Sequence, residues 1–246
     1  MQRKELKILL LQIRDDRKVR NEEHESFARY SRLEPEQISV HNVFDEPIFD
    51  PKILDGFDGL YIGGASEANV LKPEKYKFVS YSQELIKYAA KHNIPTFASC
   101  FGFQLAILAF GGQILSKERD YEMGSIPITL TNLASVDIVF RGIQNEFPAL
   151  SIHRQYAIEL PANLDLLAYT KDCLHSFKVR DKLIWAFQFH PEVDRSTVYE
   201  RLEIYKEEYT DSEHHFNSVC ALTCNLFSRA KQDSEGFAEI FEEEES

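Results

Sequence analysis

Through the first 110 residues, short apolar runs alternate with segments of helical periodicity, and few folds accept that order. KILLLQIR at 7–14 is apolar almost throughout, as expected of a central strand covered on both faces. A helix-compatible stretch, NEEHESFARYSRL, follows, and ISVHNVF at 38–44 reads as a second strand. GFDGLYIGG at 56–64 is a third strand running into a glycine turn, and KYKFVSYSQELIKYAAKHN places Phe78, Leu85, Ile86 and Ala89 on one side of a helix. IPTFAS at 94–99 is a fourth strand, and FGFQLAILAF the next helix. This alternation predicts an α/β fold built on a doubly wound, mainly parallel sheet with right-handed crossovers.

From about 113 to 190 the pattern changes. ILSK, SIPITLT, LDLLAYT, LHSFKVR and LIWAFQFH are short, rich in β-branched or aromatic residues, and separated by little that is helical. They predict an antiparallel extension of the parallel sheet. TVYERLEIYKEEYTD and HHFNSVCALTCNLFSRAKQ then have helical patterns, and FEEEES closes the sequence as a solvated acidic tail. Without a Pro/Gly/Ser-rich linker or internal repeat, the expected organisation is one domain over 1–246. Its core runs over about 5–195, a helical extension over 196–232 and the acidic tail over 233–246.

Charge and cysteine usage narrow the function classes. With 28 Lys plus Arg against 40 Asp plus Glu, the net charge of −12 argues against nucleic acid or an anionic membrane as partner. The apolar run of MQRKELKILLLQIR is too short for a secretory or membrane segment, so a cytoplasmic, reducing setting with free thiols is expected. The four cysteines stand at 100, 173, 220 and 224. Cys220 and Cys224 lie one helical turn apart, and no further ligand pair completes a zinc motif around them, so no metal and no cofactor are expected.

Ligands of open α/β sheets bind at the carboxyl ends of the strands. Three groups stand at such ends: Gly63-Gly64 after the third strand, Cys100 after the fourth, and His190, followed by Pro191 and Glu192, after IWAFQF. Each alone is ordinary, since a cysteine after a strand is usually just buried and His-Pro-Glu is a common turn. Together they fit one scheme. A thiol at a helix N-terminus is favoured as thiolate, and an imidazole can take its proton and return it to a leaving amine. Glu192 would hold that imidazole in the useful tautomer. The backbone N–H groups of Gly64 and Phe101 would receive an oxyanion, glycine suiting position 64 through close approach to substrate and access to positive φ.

At these residues the chain resembles the class I glutamine amidotransferases. SCFGFQ (99–104), FQFHPE (187–192) and YIGGAS (61–66) look like the family's motifs; YEMG (121–124) and HRQYAIELP (153–161) extend the likeness. It covers about residues 40–195 and is greatest to the amidotransferase domain of GMP synthase. The resemblance implies a catalytic triad of Cys100, His190 and Glu192, oxyanion groups at Gly64 and Phe101, and substrate contacts from Gly63, Gln104, His153 and Arg154. It further implies a γ-glutamyl thioester on Cys100 that releases ammonia and then glutamate. Two positions depart from the family, Ser99 and Arg154 standing where glycine is usual. The sequence holds no G-x-x-x-x-G-K-[ST] phosphate loop. Three readings stay open: a glutaminase-type amidotransferase, alone or feeding ammonia to a separate synthetase; a hydrolase or peptidase of γ-glutamyl amines or peptides; and a non-catalytic binding relative.

Overall fold

The computed structural model describes residues 3–118, 121–194, 197, 200–201 and 204–205. Among them, eleven strands are present: β1 (Ile8–Gln12), β2 (Ile38–Asn42), β3 (Gly59–Ile62), β4 (Thr96–Ser99), β5 (Leu115–Ser116), β6 (Met123–Leu130), β7 (Glu146–Ile152), β8 (Gln155–Tyr156), β9 (Leu164–Tyr169), β10 (Leu174–Val179) and β11 (Ile184–Phe187). Three α-helices accompany them: α1 (Arg17–Ser31), α2 (Phe78–His92) and α3 (Phe101–Ala109). Nine strands form one sheet in the order β2-β1-β3-β4-β11-β10-β9-β6-β7, while β5 and β8 pair separately.

The half from β2 to β11 is parallel throughout. From β11 outward each pairing is antiparallel, through β10, β9, β6 and β7. The expected sheet with its antiparallel extension is therefore what forms. Strand alternation explains why the parallel half is covered on both faces. Leu9, Leu11, Leu60, Ile62, Ala98, Ile184 and Ala186 face the layer containing α2 and α3. Ile8, Leu10, Tyr61, Phe97, Trp185 and Phe187 face the other layer, which α1 closes with Phe27 and Ala28. Phe27 stacks on Tyr61 at 5.2 Å between ring centroids, and Phe97 on Phe187 at 4.9 Å.

The helices end where their sequences say they should. Asp16 caps α1 by accepting from Lys18 N and Val19 N. Arg32 and Asn93 adopt left-handed conformations at the C-termini of α1 and α2. Three strands depart from the sequence expectation: ILSK gives β5, which pairs with β8 outside the nine-stranded sheet, LIWAFQFH gives β11, which joins β4 in parallel, and the third is β7. EFPALSI forms β7, an edge strand paired along its length with β6, although Pro148 within it argues against a strand. Pro148 is tolerated because it stands opposite Pro127 on the outermost pairing, where a missing N–H leaves no inner strand unsatisfied. The helical expectations for 206–246, with Cys220 and Cys224, lie outside the described residues.

Candidate active site

Cys100 is held where β4 becomes α3. Ser99 pairs with Phe187 in the parallel register, and Cys100 N–H donates to the Phe187 carbonyl at 2.7 Å. The Cys100 carbonyl then accepts from Gln104 N at 3.2 Å, the first intrahelical bond. To serve both roles the residue takes φ 48, ψ −97, a conformation that a non-glycine residue adopts only under constraint. The side chain is thereby turned out of the helix, over N–H groups that have no intrahelical partner. Its Sγ lies 3.8 Å from the Ile152 carbonyl of β7.

His190 reaches the same place from β11. Its N–H donates to the Leu150 carbonyl at 2.9 Å, so β7 fixes the imidazole's backbone as well as the thiol's wall. His190 Nδ1 donates to Glu192 Oε1 at 2.7 Å, and the ring stands beside Cys100, both packing against Gly64. Burial disfavours charge on this ring, but the charges of Glu192 and Cys100 outweigh it and raise its pKa to about 9. Glu192 is itself buried. Burial pushes its carboxyl up, yet the charge and hydrogen bond of His190 hold it below the usual range. Of the three groups implied by the resemblance, His190 and Glu192 are thus hydrogen-bonded and Cys100 stands beside them.

Ser99 supports that pair from behind. Its hydroxyl, fully buried, donates to the same Glu192 Oε1 at 3.0 Å. Its side chain points away from the pocket, beneath the triad, and fastens the carboxylate that fastens the imidazole. No sequence pattern could reveal this, because Ser99 and Glu192 are 93 residues apart.

Gly64 stands against both reacting groups. A Cβ added there would come within 2.9 Å of His190 Cε1 and Arg14 Nη2, and 3.5 Å from Cys100 Cβ. Close approach alone demands glycine; the φ of Gly64 is outside the left-handed range, contrary to that part of the expectation. Gly63 lies just inside it, with Glu23 2.6 Å from where its Cβ would be, and its N–H donates to the Leu11 carbonyl. Beneath this loop sits a buried ion pair, Arg14 Nε to Glu23 Oε1 at 2.9 Å, from which Arg14 also reaches Ser66 Oγ at 3.2 Å. Burial raises the pKa of Glu23 despite the adjacent guanidinium. The sequence signal for this pair is an arginine closing the apolar run of KILLLQIR.

A pocket of about 220 Å³ opens above the thiol, lined by residues that include Ser66, Glu67, Cys100, Phe101, Gln104, His153 and Arg154. Phe101 thus lines the pocket next to Cys100. Gln104 lines the pocket, while its amide nitrogen donates to the Gln155 carbonyl at 3.2 Å and approaches Gln188 Oε1 at 3.5 Å. Arg154 lines it with its guanidinium 4.8 Å over the Tyr121 ring. Glu67 accepts from the backbone N–H groups of Asp15, Asp16 and Ser66 and, at 2.5 Å, from Tyr205 Oη. Arg201 returns to α1 through Glu22 at 2.7 Å. No helix among the described residues is long and apolar enough to cross a membrane.

His153, expected at the substrate, turns its Nε2 to Glu122 Oε2 at 3.1 Å, where Cys173 and His175 also converge. Sequence reasoning missed this second cluster, which only the Cys-x-His spacing of 173 and 175 marks.

Comparison with known proteins agrees with the geometry. The family model described as "Glutamine amidotransferase class-I" matches residues 34–205. One GMP synthase [glutamine-hydrolyzing] subunit, that of Thermoplasma acidophilum, is 30% identical over 148 residues, covering 60% of this chain and 69% of that relative. The GMP synthase [glutamine-hydrolyzing] of Borrelia garinii subsp. bavariensis is 38% identical over 103 residues, 42% of this chain but only 19% of that protein. The match thus spans about a fifth of such longer relatives. A solved glutamine amidotransferase structure from Thermotoga maritima superposes with a TM-score of 0.67 at 17% identity, over 93% of this chain and 99% of that one. That likeness bears on the fold alone. A thiol strained into the strand-to-helix turn, a buried His-Glu pair beside it and a family match across most of the sheet converge on one assignment: the chain belongs to the class I glutamine amidotransferases.

Proposed function

We propose that this chain hydrolyses the side-chain amide of a γ-glutamyl compound, with glutamine as the leading substrate, using Cys100, His190 and Glu192. The reading rests above all on His190 being hydrogen-bonded to Glu192 while it stands beside Cys100 at the end of β4. The Cys100 sulfur attacks the amide carbon as its thiolate, with its proton carried by His190. The oxyanion that develops is received by the N–H groups of Phe101, at the start of α3, and of Gly64. His190 gives its proton to the departing ammonia, leaving a γ-glutamyl thioester. It then takes a proton from the attacking water, glutamate departs, and Cys100 is restored with its proton shared to His190. Glu192, steadied by Ser99, keeps Nδ1–H pointed away from the thiol throughout. Gln104 and Arg154 supply the polar rim that receives the substrate's amino-acid end.

The curated relatives are named as glutamine-hydrolysing, and several of them as one subunit of a GMP synthase. Delivery of ammonia to a separate synthetase is the matching proposal for this chain. Arg154 favours a second reading. A cation in the pocket wall, where glycine is usual, suits a γ-glutamyl peptide that brings an additional carboxylate. The two readings separate in one assay of glutamine, γ-glutamyl amines and γ-glutamyl peptides side by side, with Cys100→Ala as control. Glutamine turnover, increased by a co-purifying synthetase, supports the first. Partner-independent turnover of γ-glutamyl peptides or amines, with glutamine spared, supports the second. Equal turnover by Cys100→Ala refutes both.

A further inference from the structure

We propose that Glu122, His153, Cys173 and His175 bind one divalent transition-metal ion, zinc foremost, in a closed tetrahedral site that fastens the β6–β7 hairpin to the β9–β10 turn. The four come from two separate places in the fold. Glu122 immediately precedes β6 and His153 immediately follows β7, and His153 N–H donates to the Glu122 carbonyl at 3.2 Å across the open end of that hairpin. Cys173 ends the turn after β9 and His175 lies two residues on in β10, so strand alternation points both side chains to one face.

Their donor atoms all lie within 4.8 Å of one another. A tetrahedral zinc ion with bonds of about 2.0–2.3 Å separates its ligand atoms by roughly 3.3–3.8 Å, so sub-ångström movements suffice to admit it. The present contacts argue for a centre of that kind. Three donors crowd one oxygen: Glu122 Oε2 is 3.1 Å from His153 Nε2, 2.7 Å from His175 Nε2 and 3.1 Å from Cys173 Sγ. Cys173 Sγ is also 3.4 Å from His175 Nε2. Two imidazoles and a thiol converging on a single atom is a first coordination sphere drawn slightly inward.

Composition and burial agree. Three of the four side chains are buried, and Glu122 is nearly so. A thiolate and a carboxylate together carry two negative charges, which one divalent cation neutralises; binding displaces the Cys173 thiol proton to solvent. The mixed sulfur, nitrogen and oxygen set suits zinc, with cobalt as a spectroscopic substitute. Thr170 Oγ1 donates to the other carboxylate oxygen, Glu122 Oε1, at 2.7 Å, and thereby orients the ligand oxygen. With four protein ligands the site keeps no open position, so its role is structural. It steadies the wall of the pocket, because His153 lies between Ile152, whose carbonyl faces Cys100, and Arg154.

The test uses the full chain and is independent of whether glutamine is the substrate. Purified protein is analysed for bound zinc, then stripped and titrated with Co(II) while the absorption spectrum is followed. The expected result is one metal per chain, with the intense visible bands of tetrahedral cobalt and the near-ultraviolet band of a single cobalt–thiolate bond. Cys173→Ser removes the thiolate band and weakens cobalt binding by at least roughly 100-fold, while Cys100→Ser leaves both intact. Wild-type protein that binds no stoichiometric metal, or binds cobalt without a thiolate band, overturns the proposal whether or not the Cys173 variant folds. Loss of the band in Cys100→Ser in place of Cys173→Ser does so equally.

Discussion

Glu192→Gln is the most informative perturbation of the proposed triad, because it removes the charge and keeps the shape, adding only an amide donor at the buried, unpartnered place of Oε2. Oε1 of Glu192 accepts from both His190 Nδ1 and Ser99 Oγ. A glutamine placed with its carbonyl oxygen there preserves both hydrogen bonds and nearly the same volume. What disappears is the negative charge, the largest contribution that raises the pKa of His190 to about 9 against the opposing effect of burial. The rise from the ordinary value of 6.5 corresponds to about 3 kcal/mol in favour of the imidazolium. With that charge gone, burial dominates, and the ring is expected to titrate at least roughly 2 pH units lower. At pH 7.5 the wild-type ring is charged, whereas the variant's ring is neutral and leaves no cation beside the sulfur. Alkylation of Cys100 by iodoacetamide at that pH should therefore slow by roughly 100-fold, read at the Cys100 peptide by mass spectrometry. Direct titration of isotopically labelled His190 gives the same shift independently. A variant whose His190 still titrates near 9, or whose Cys100 alkylates at the wild-type rate, refutes the claim that Glu192 sets the charge of this pair.

Other perturbations follow from the same geometry. Gly64→Ala drives a methyl into His190 Cε1 and the Arg14 guanidinium, so kcat/KM should fall by about 100-fold or more with near-ultraviolet circular dichroism unchanged; normal turnover would show that the loop simply yields. Ser99→Ala removes a buried hydrogen bond to a charged group and should lower unfolding free energy by about 1.5–3 kcal/mol. Its kcat should fall with KM little altered, and a reversed pattern would place Ser99 at the substrate. His190→Ala should lose far more rate than Glu192→Ala, since the proton carrier outweighs the group that orients it; equal losses measured by kcat/KM contradict that ranking. His190 also predicts a pH dependence of stability. Its folded pKa is raised, so its contribution is complete below pH 6.5 and disappears as pH rises through about 9. Wild-type stability measured by chemical denaturation should fall as pH rises across that window, and His190→Gln should flatten the dependence.

The parallel half of the sheet was legible because its strands are apolar runs and its helices amphipathic, with Gly63-Gly64 and Cys100 marking the strand ends. The residues of the proposed triad could be singled out for the same reason, since Cys100 follows β4 and His190 and Glu192 follow β11. What escaped reading depends on contacts far apart in the chain. β7 carries Pro148 and mixed polarity, so only its pairing with β6 makes it a strand. Ser99 reads as a small residue before the thiol, and its bond to Glu192 exists only once β4 and β11 lie side by side. Arg14, just past β1, and Glu23 of α1 are buried together only once that helix packs on the sheet. Glu122, His153, Cys173 and His175 meet only because the open end of the β6–β7 hairpin folds against the β9–β10 turn.

The position of β7 has a consequence for how catalysis fails. It is the outermost strand, bonded to the sheet through β6 alone, yet its Leu150 and Ile152 carbonyls hold the His190 backbone and face the Cys100 sulfur. Edge strands open at lower free energy than central ones. Fraying of this single ribbon would unlatch both reacting groups while β1, β3 and β4 stayed folded, so activity should vanish on heating before the bulk of the sheet melts. Amide exchange along 146–152 would then track inactivation more closely than any global melting curve.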